Sequence, residues 1–263
     1  MPPGRIRTAV EGRIERTPHV VRFTTGALIA AVTALPGVAS AILISEFAPN
    51  PPGDDPAAQL IEFSGTPGKS GSAVLVSIDG DGTEIRGTVD SVDMFNYLFA
   101  DSGLFTLQIP DLENPTFTLV LASAFDGTIG TDLDGDDDGT LDDVTPFGTV
   151  FDAVGVADRG ADLPFLYAAQ LGGVDLQTVF EPVRVFRDGS VGEFLAVRAN
   201  GGVADSNNVA VTGPFSADPT IATFGAVNPT TDVAEPAGLA LLGIGALAMV
   251  HRRRRSARPA ASS

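Results

Sequence analysis

The stretch I-L-I-S-E-F-A-P-N-P-P-G-D-D-P-A-A-Q-L-I-E-F-S, residues 42–64, decides the fold. It holds two short runs, 42–47 and 59–64, rich in Ile, Leu and Phe, separated by Pro, Asn, Gly and Asp. Such runs read as strands, because branched and aromatic side chains suit a pleated, half-buried surface while Pro and Gly interrupt it. The same composition recurs at 73–78, 104–109, 117–124, 150–156, 183–187, 194–198 and 208–212. The fold class expected is mainly β, a single antiparallel β-sandwich over residues 42–213. Two short helices are expected beside it. One is 91–100, where Met94, Phe95 and Leu98 fall near one face; the other is 164–171. Residues 214–233, rich in Pro and Thr, read as a linker that begins with a last strand.

The 263-residue chain carries 33 acidic residues against 16 basic ones, a net charge of −17, with two His and no Cys or Trp. Its hydrophobic content, 44%, is too high for a wholly disordered chain. Outside the two ends the imbalance sharpens. Only Lys69, Arg86, Arg159, Arg184, Arg187 and Arg198 oppose 31 acids within 42–235, a net of −25. Nucleic acid is excluded as a partner, since its phosphates need Lys and Arg. The field attracts cations instead. Both histidines, His19 and His251, lie in the terminal segments. The middle therefore lacks Ser-His-Asp and Cys-His chemistry, thiol redox chemistry and His/Cys zinc ligands.

The termini read as addresses. Residues 1–26 carry five Arg, the apolar run A-L-I-A-A-V-T-A-L follows at 27–35, and Pro36-Gly37 breaks it. Ala39 and Ala41 then stand at the small-residue positions of an A-x-A cleavage site, which completes a secretory signal peptide over 1–41. Its partners would be the export translocon and signal peptidase. The far end, 234–258, holds Ala234-Glu235-Pro236, an unbroken apolar and Gly run at 237–250, and Arg252, Arg253, Arg254 and Arg255. An apolar helix backed by Arg keeps its basic end cytoplasmic and the domain before it outside. The run is short for a full span, which local bilayer thinning accommodates.

This three-part tail resembles the PEP-CTERM sorting signal of exported bacterial proteins, with Ala234 in place of the first Pro of the family motif. The resemblance implies recognition by an exosortase-type membrane protease, and anchorage in or release from the cell envelope. A second, shorter resemblance lies in Ile44-Ser45-Glu46-Phe47-Ala48-Pro49-Asn50-Pro51, Gln59-Leu60-Ile61-Glu62-Phe63 and the strand Phe151-Asp152-Ala153-Val154-Gly155-Val156. These are similar to lamin-tail-like domains, although the Gly-Trp strand of that family is absent. The similarity implies an immunoglobulin-like β-sandwich with a binding or architectural role.

The densest polar feature is T-D-L-D-G-D-D-D-G-T-L-D-D, 131–143. Oxygen ligands at alternate positions suit Ca²⁺. With Asp134 first in an EF-hand-like loop, Asp136, Asp138, Thr140 (through its carbonyl) and Asp142 take the third, fifth, seventh and ninth places, and Gly139 the turn. Thr145 occupies the twelfth position, where a bidentate acid belongs, so Asp143 has to substitute. A solvated acidic turn is the competing reading. Asp79-Gly80-Asp81-Gly82 reads first as a hairpin connection and second as an ion-binding turn.

Other motifs fail on spacing. Gly68-Lys69-Ser70 lacks the first Gly of a phosphate loop, since Phe63 stands there. Lys69 beside Ser70 and Ser72 is a poor dyad, because adjacent residues in a Gly-rich turn seldom converge. The expectation is an exported, non-enzymatic surface protein with a structural, adhesive or matrix role, its partners including exopolysaccharide. A Ca²⁺-dependent carbohydrate-binding module and a carboxylate-dependent extracellular hydrolase are the alternatives.

Overall fold

The computed structural model describes residues 42–231 apart from 54–55, 83–84, 113–115 and 191. The signal peptide with Ala39 and Ala41, and the tail with Ala234, Glu235, Pro236, the 237–250 run and Arg252 to Arg255, lie outside the described residues. Among the described residues no helix is long and apolar enough to cross a membrane.

The chain is mainly β, in two sheets. Its strands are β1 (Leu43–Phe47), β2 (Ala58–Ser64), β3 (Ser70–Asp79), β4 (Val89–Leu98), β5 (Leu104–Pro110), β6 (Phe117–Ala122), β7 (Val150–Val156), β8 (Val174–Asp175), β9 (Arg184–Arg187), β10 (Phe194–Val197) and β11 (Val203–Asp205). The first sheet runs β11-β10-β9-β1-β2-β5, antiparallel throughout. The second runs β4-β3-β6-β7-β8, antiparallel except for the short parallel contact of β7 with β8.

Alternation along each strand sends one set of side chains into a core shared by the two sheets, an arrangement compatible with a β-sandwich. Phe47 and Phe63 from the first sheet and Leu75, Phe117 and Leu119 from the second belong to one buried cluster. Phe47 and Phe117 meet across the sheets with ring centroids 6.3 Å apart. The open side is closed by rings: Phe95 stacks on Phe63 at 5.1 Å and on Phe105 at 5.9 Å. An ion pair also joins the sheets. Arg187 on β9 donates to both oxygens of Asp152 on β7 at 2.7 Å, and the Ile44 amide of β1 donates to the same carboxylate at 2.9 Å.

Three expectations need correction. The segment 91–100 is not a helix but most of strand β4, paired along β3. Phe95 and Phe99 enter the core while Met94 and Leu98 stay in solvent, a period of two rather than 3.6. Residues 164–171 form two separate single turns, Leu163–Phe165 and Ala169–Leu171, both of the tight 3₁₀ type. Residues 208–212 form no strand; one isolated bridge joins Ala210 to Ala204 of β11. The turn at 65–69 joins β2 to β3 and the Asp79-to-Gly82 segment lies in the β3–β4 connection, both as expected of turns.

Both sheets are also covered on their outer faces. On the second sheet, Val74, Val76, Ile78 and Val120 pack beneath Leu133, Leu141, Phe147 and Tyr167. On the first, Phe186, Leu195, Val197 and Val203 pack with Val211 and Phe215. Residues 214–231 do not behave as a free linker. They lie across the first sheet as a strap, because that face carries buried charges that need donors. Glu46 and Glu62, opposite each other on β1 and β2, are fully buried, and Arg184 on β9 is 3% exposed. Arg184 Nε donates to Glu46 at 2.6 Å, and its two other nitrogens donate to Pro219 O and Thr223 Oγ1. The strap supplies the Thr223 amide and hydroxyl to Glu46 and the Gly225 amide to Glu62. Asn228 donates to the Ser45 carbonyl and hydroxyl, and the Ser45 hydroxyl donates to Glu62.

Burial pushes the Glu62 carboxyl above its ordinary range, the Gly225 and Ser45 donors pull it back, and neighbouring Glu46 raises it further. A carboxyl whose folded pKa is raised favours the folded state when protonated, so this group adds stability as pH falls through its folded titration range. We therefore expect Glu62→Gln, at neutral pH, to leave stability unchanged or raise it by up to about 1 kcal/mol, since the burden is a desolvated charge. Arg184→Met should cost about 3–5 kcal/mol, because it leaves Glu46 buried without its cation. Urea unfolding of the full chain measures both, and equal losses in the two variants would contradict this account.

Candidate metal centre

The Asp-rich loop belongs to the long connection between β6 and β7. Phe125 and Phe147 close its base, bridged through their backbones with rings 4.9 Å apart. Leu133 and Leu141 then pin it to the second sheet. Their apolar side chains reach the sheet, while Asp136, Asp137 and Asp138 between them face water. The Leu133 amide donates to Gly87 O, and the Asp142 amide closes the loop onto Leu133 O at 2.7 Å.

Asp134 is the hub. It is fully buried, and its oxygens accept the amides of Asp138 at 3.1 Å and Gly139 at 2.9 Å and the Tyr167 hydroxyl at 2.8 Å. The chain wraps around this carboxylate by a reversal in which Asp137 (φ 55°) and Gly139 (φ 86°) are left-handed. Only Gly serves at 139, since a Cβ there would sit 2.4 Å from Pro164 O. Gln170 clamps the same turn, accepting the Leu141 amide at 2.8 Å and donating to Gly139 O at 2.9 Å.

Asp134, Asp136 and Asp138 each place a carboxylate oxygen within 4.8 Å of the others. Asp136 and Asp138 are exposed, so the cluster opens to solvent from a buried floor. The Asp136 carboxyl is pushed above its usual range, chiefly by the adjacent Asp138 and also by Asp142 and Asp134. An all-oxygen, like-charged set is the donor chemistry of a hard divalent cation.

The remaining expected ligands divide. Asp142 stays close, its Oδ2 accepting the Gly135 amide at 2.9 Å. The Thr140 amide donates to Asp138 at 2.8 Å. Asp143 is outside the triad, and the Thr145 hydroxyl and amide hold its carboxylate and pull its pKa down. At the second Asp/Gly turn the cation is the chain's own Arg159, 3.2 Å from Asp81 and 2.6 Å from Asp162.

Tyr167 and Gln170 were not legible as parts of this site. Both come from the segment before β8, some thirty residues along the chain from the carboxylates they hold. Tyr167 is one of only two Tyr in the chain, a weak signal, and no spacing rule links it to Asp134. Burial, and then the Asp134 carboxylate, push its phenol well above the ordinary tyrosine range, so it remains a donor. Searches against family models, curated proteins and solved structures find no match to this chain.

Replacing Tyr167 by Phe removes the hydroxyl donor from a buried carboxylate. The expected cost is about 1.5–3 kcal/mol, the range for hydrogen bonds to charged groups. Hydrogen exchange should report it as faster exchange of the Asp138 and Gly139 amides, while the core amides of β6 keep their protection. Unchanged exchange at those two amides would contradict the hub role of Asp134.

Proposed function

We propose that this chain is an exported, surface-sorted protein without enzymatic activity, whose acidic domain is stabilised by Ca²⁺ and serves a structural, adhesive or matrix role. The fold reading that accompanies it is an immunoglobulin-like β-sandwich of lamin-tail-like kind, supported by two largely antiparallel sheets around a shared core. Export rests on the sequence of the two ends, with Ala39 and Ala41 as the leader's cleavage site and Ala234, Glu235, Pro236 and the Arg cluster as the sorting signal. Residues 42–231 contain neither His nor Cys, which supports binding or architecture over acid–base turnover.

The observation that carries the reading is the convergence of Asp134, Asp136 and Asp138 on one point above the Tyr167 floor. Asp142 stands at hand, and a bound cation would add its oxygen affinity to loops that already cover the second sheet. The cation would hold the β6–β7 loop against the Leu163–Leu171 segment and so brace that face of the domain. Asp143, engaged by Thr145, drops out of the ligand set, and water would complete the coordination.

Scanning calorimetry of the full chain in EDTA and in millimolar Ca²⁺ tests this. At about ten times Kd, mass action adds roughly 1.4 kcal/mol. For a domain of this size that is a rise of about 3–6 °C in the midpoint. Asp136→Asn should abolish the rise without lowering the EDTA midpoint. An identical midpoint in both buffers would remove the Ca²⁺ reading.

The export reading has a separate test. Mass spectrometry of the protein from its native host should find the mature chain beginning at Ile42, in the envelope or medium. Recovery of intact termini from the cytosol would overturn it.

A further inference from the structure

We infer that the cleft at the β2–β3 turn end of the first sheet is a binding site for a neutral sugar residue, separate from the Asp-rich loop and independent of Ca²⁺. This gives the surface role proposed above a ligand class. It rests on a cavity that five segments build together: the start of β1, the β2–β3, β4–β5 and β9–β10 turns, and the strap. Its volume is about 510 Å³, within the range of small-molecule sites.

The lining chooses the ligand. Gly103 and Gly192, both at positive φ, keep the turns tight and leave the space open. The Gly65 amide donates to Gly103 O at 2.9 Å and fixes two of the turns to each other. Ser64 and Ser102 present hydroxyls that take no part in a side-chain hydrogen bond among the described residues. Each can therefore donate to, and accept from, a ligand hydroxyl. Leu43, Leu104 and Val227, the last 71% exposed, offer an apolar wall for the C–H face of a ring.

Anions find no welcome there. The one guanidinium in the lining, Arg187, is committed to Ile44 O, Gly192 O and Asp152, at 2.7–2.8 Å. Asp188, 2% exposed, is ionised: burial would raise its pKa, but the Ser190 hydroxyl and amide and the Thr231 amide bring it down to about 2. A ligand with many hydroxyls and no negative charge fits this combination, whereas an acidic sugar would enter an already negative domain with the lining guanidinium engaged elsewhere.

The test is ligand-observed NMR on the full chain, with methyl β-glucopyranoside and methyl β-galactopyranoside as neutral probes, glucuronate as the anion and choline as a cation. A neutral glycoside should bind with Kd about 1 mM, an affinity typical of few hydrogen bonds. Glucuronate should be at least about tenfold weaker, since the negative field of the domain opposes it and Arg187 is already engaged. Ser102→Leu, which fills the cleft from an exposed turn, should weaken binding about tenfold, and Val227→Asp should do the same from the opposite wall. Calorimetric midpoints must stay at the wild-type value for either variant to count, and the two lie on different segments. EDTA should change nothing. The inference is overturned if neither glycoside binds, if both folded variants bind as the wild type does, if choline is preferred, or if EDTA abolishes binding. The last result would move the sugar to the Asp-rich loop. The Ca²⁺-dependent melting shift stands or falls on its own measurement.

Discussion

Carboxylates taken out of water have to be met by N–H or O–H donors, and three hubs show how this domain is organised around meeting that demand. Between the sheets, Asp152 receives Arg187 and the Ile44 amide. On the outer face of the first sheet, Glu46 and Glu62 receive Arg184, Ser45 and the strap. On the outer face of the second, Asp134 receives two loop amides and Tyr167. Each hub draws at least one donor from a segment far away in the chain. Losing one donor strands a charge rather than merely removing a contact, so the hubs fix which segment lies where. The hydrophobic core supplies the driving force for two sheets to associate; it is indifferent to which loop covers which face.

Acidity in this chain therefore has two parts. Asp136 and Asp138 stand in solvent, repel each other and are suited to a cation. Asp134, their neighbour by only two and four positions, is a buried structural acceptor as well as the floor of the same cluster. A cation at that point would touch the surface and the interior together. This is the physical basis for linking loop occupancy to the stability of the whole domain. The arginines follow the same economy of placement: Arg184 and Arg187 are held inside by carboxylates, and Arg159 is shared among acids at the domain's edge.

The strands were largely legible because their signal is local. The segments 59–64 and 150–156 carry Phe, Ile and Val between Pro, Gly and Asp, and they appear as β2 and β7. Strand β4 was legible in principle, since Phe95, Tyr97 and Phe99 stand two apart, but Met94 and Leu98 dilute that rhythm with exposed apolar side chains. β8 and β11, of two and three residues, are too short for any pattern to form. The Asp cluster was legible from the alternate spacing of 134, 136 and 138. The redirection of Asp143 to Thr145 was not, because a capping bond two residues on competes with ligation and sequence spacing does not rank the two.

Composition and periodicity alone determined that the middle of the chain is acidic, β-rich and free of His and Cys, since these are properties of residues and their immediate neighbours. The two ends, read as export signals, are likewise local messages. Tertiary structure decided what no local pattern carries. It turned 214–231 from a spacer into the cover of a buried ion cluster, placed Tyr167 under Asp134, and brought the start of β1, three turns and the strap together into one cleft. The reason is the same in each case. Which donor answers a buried acceptor is settled by distance in space, and residues as far apart as 46 and 223 become neighbours only after the sheets have formed.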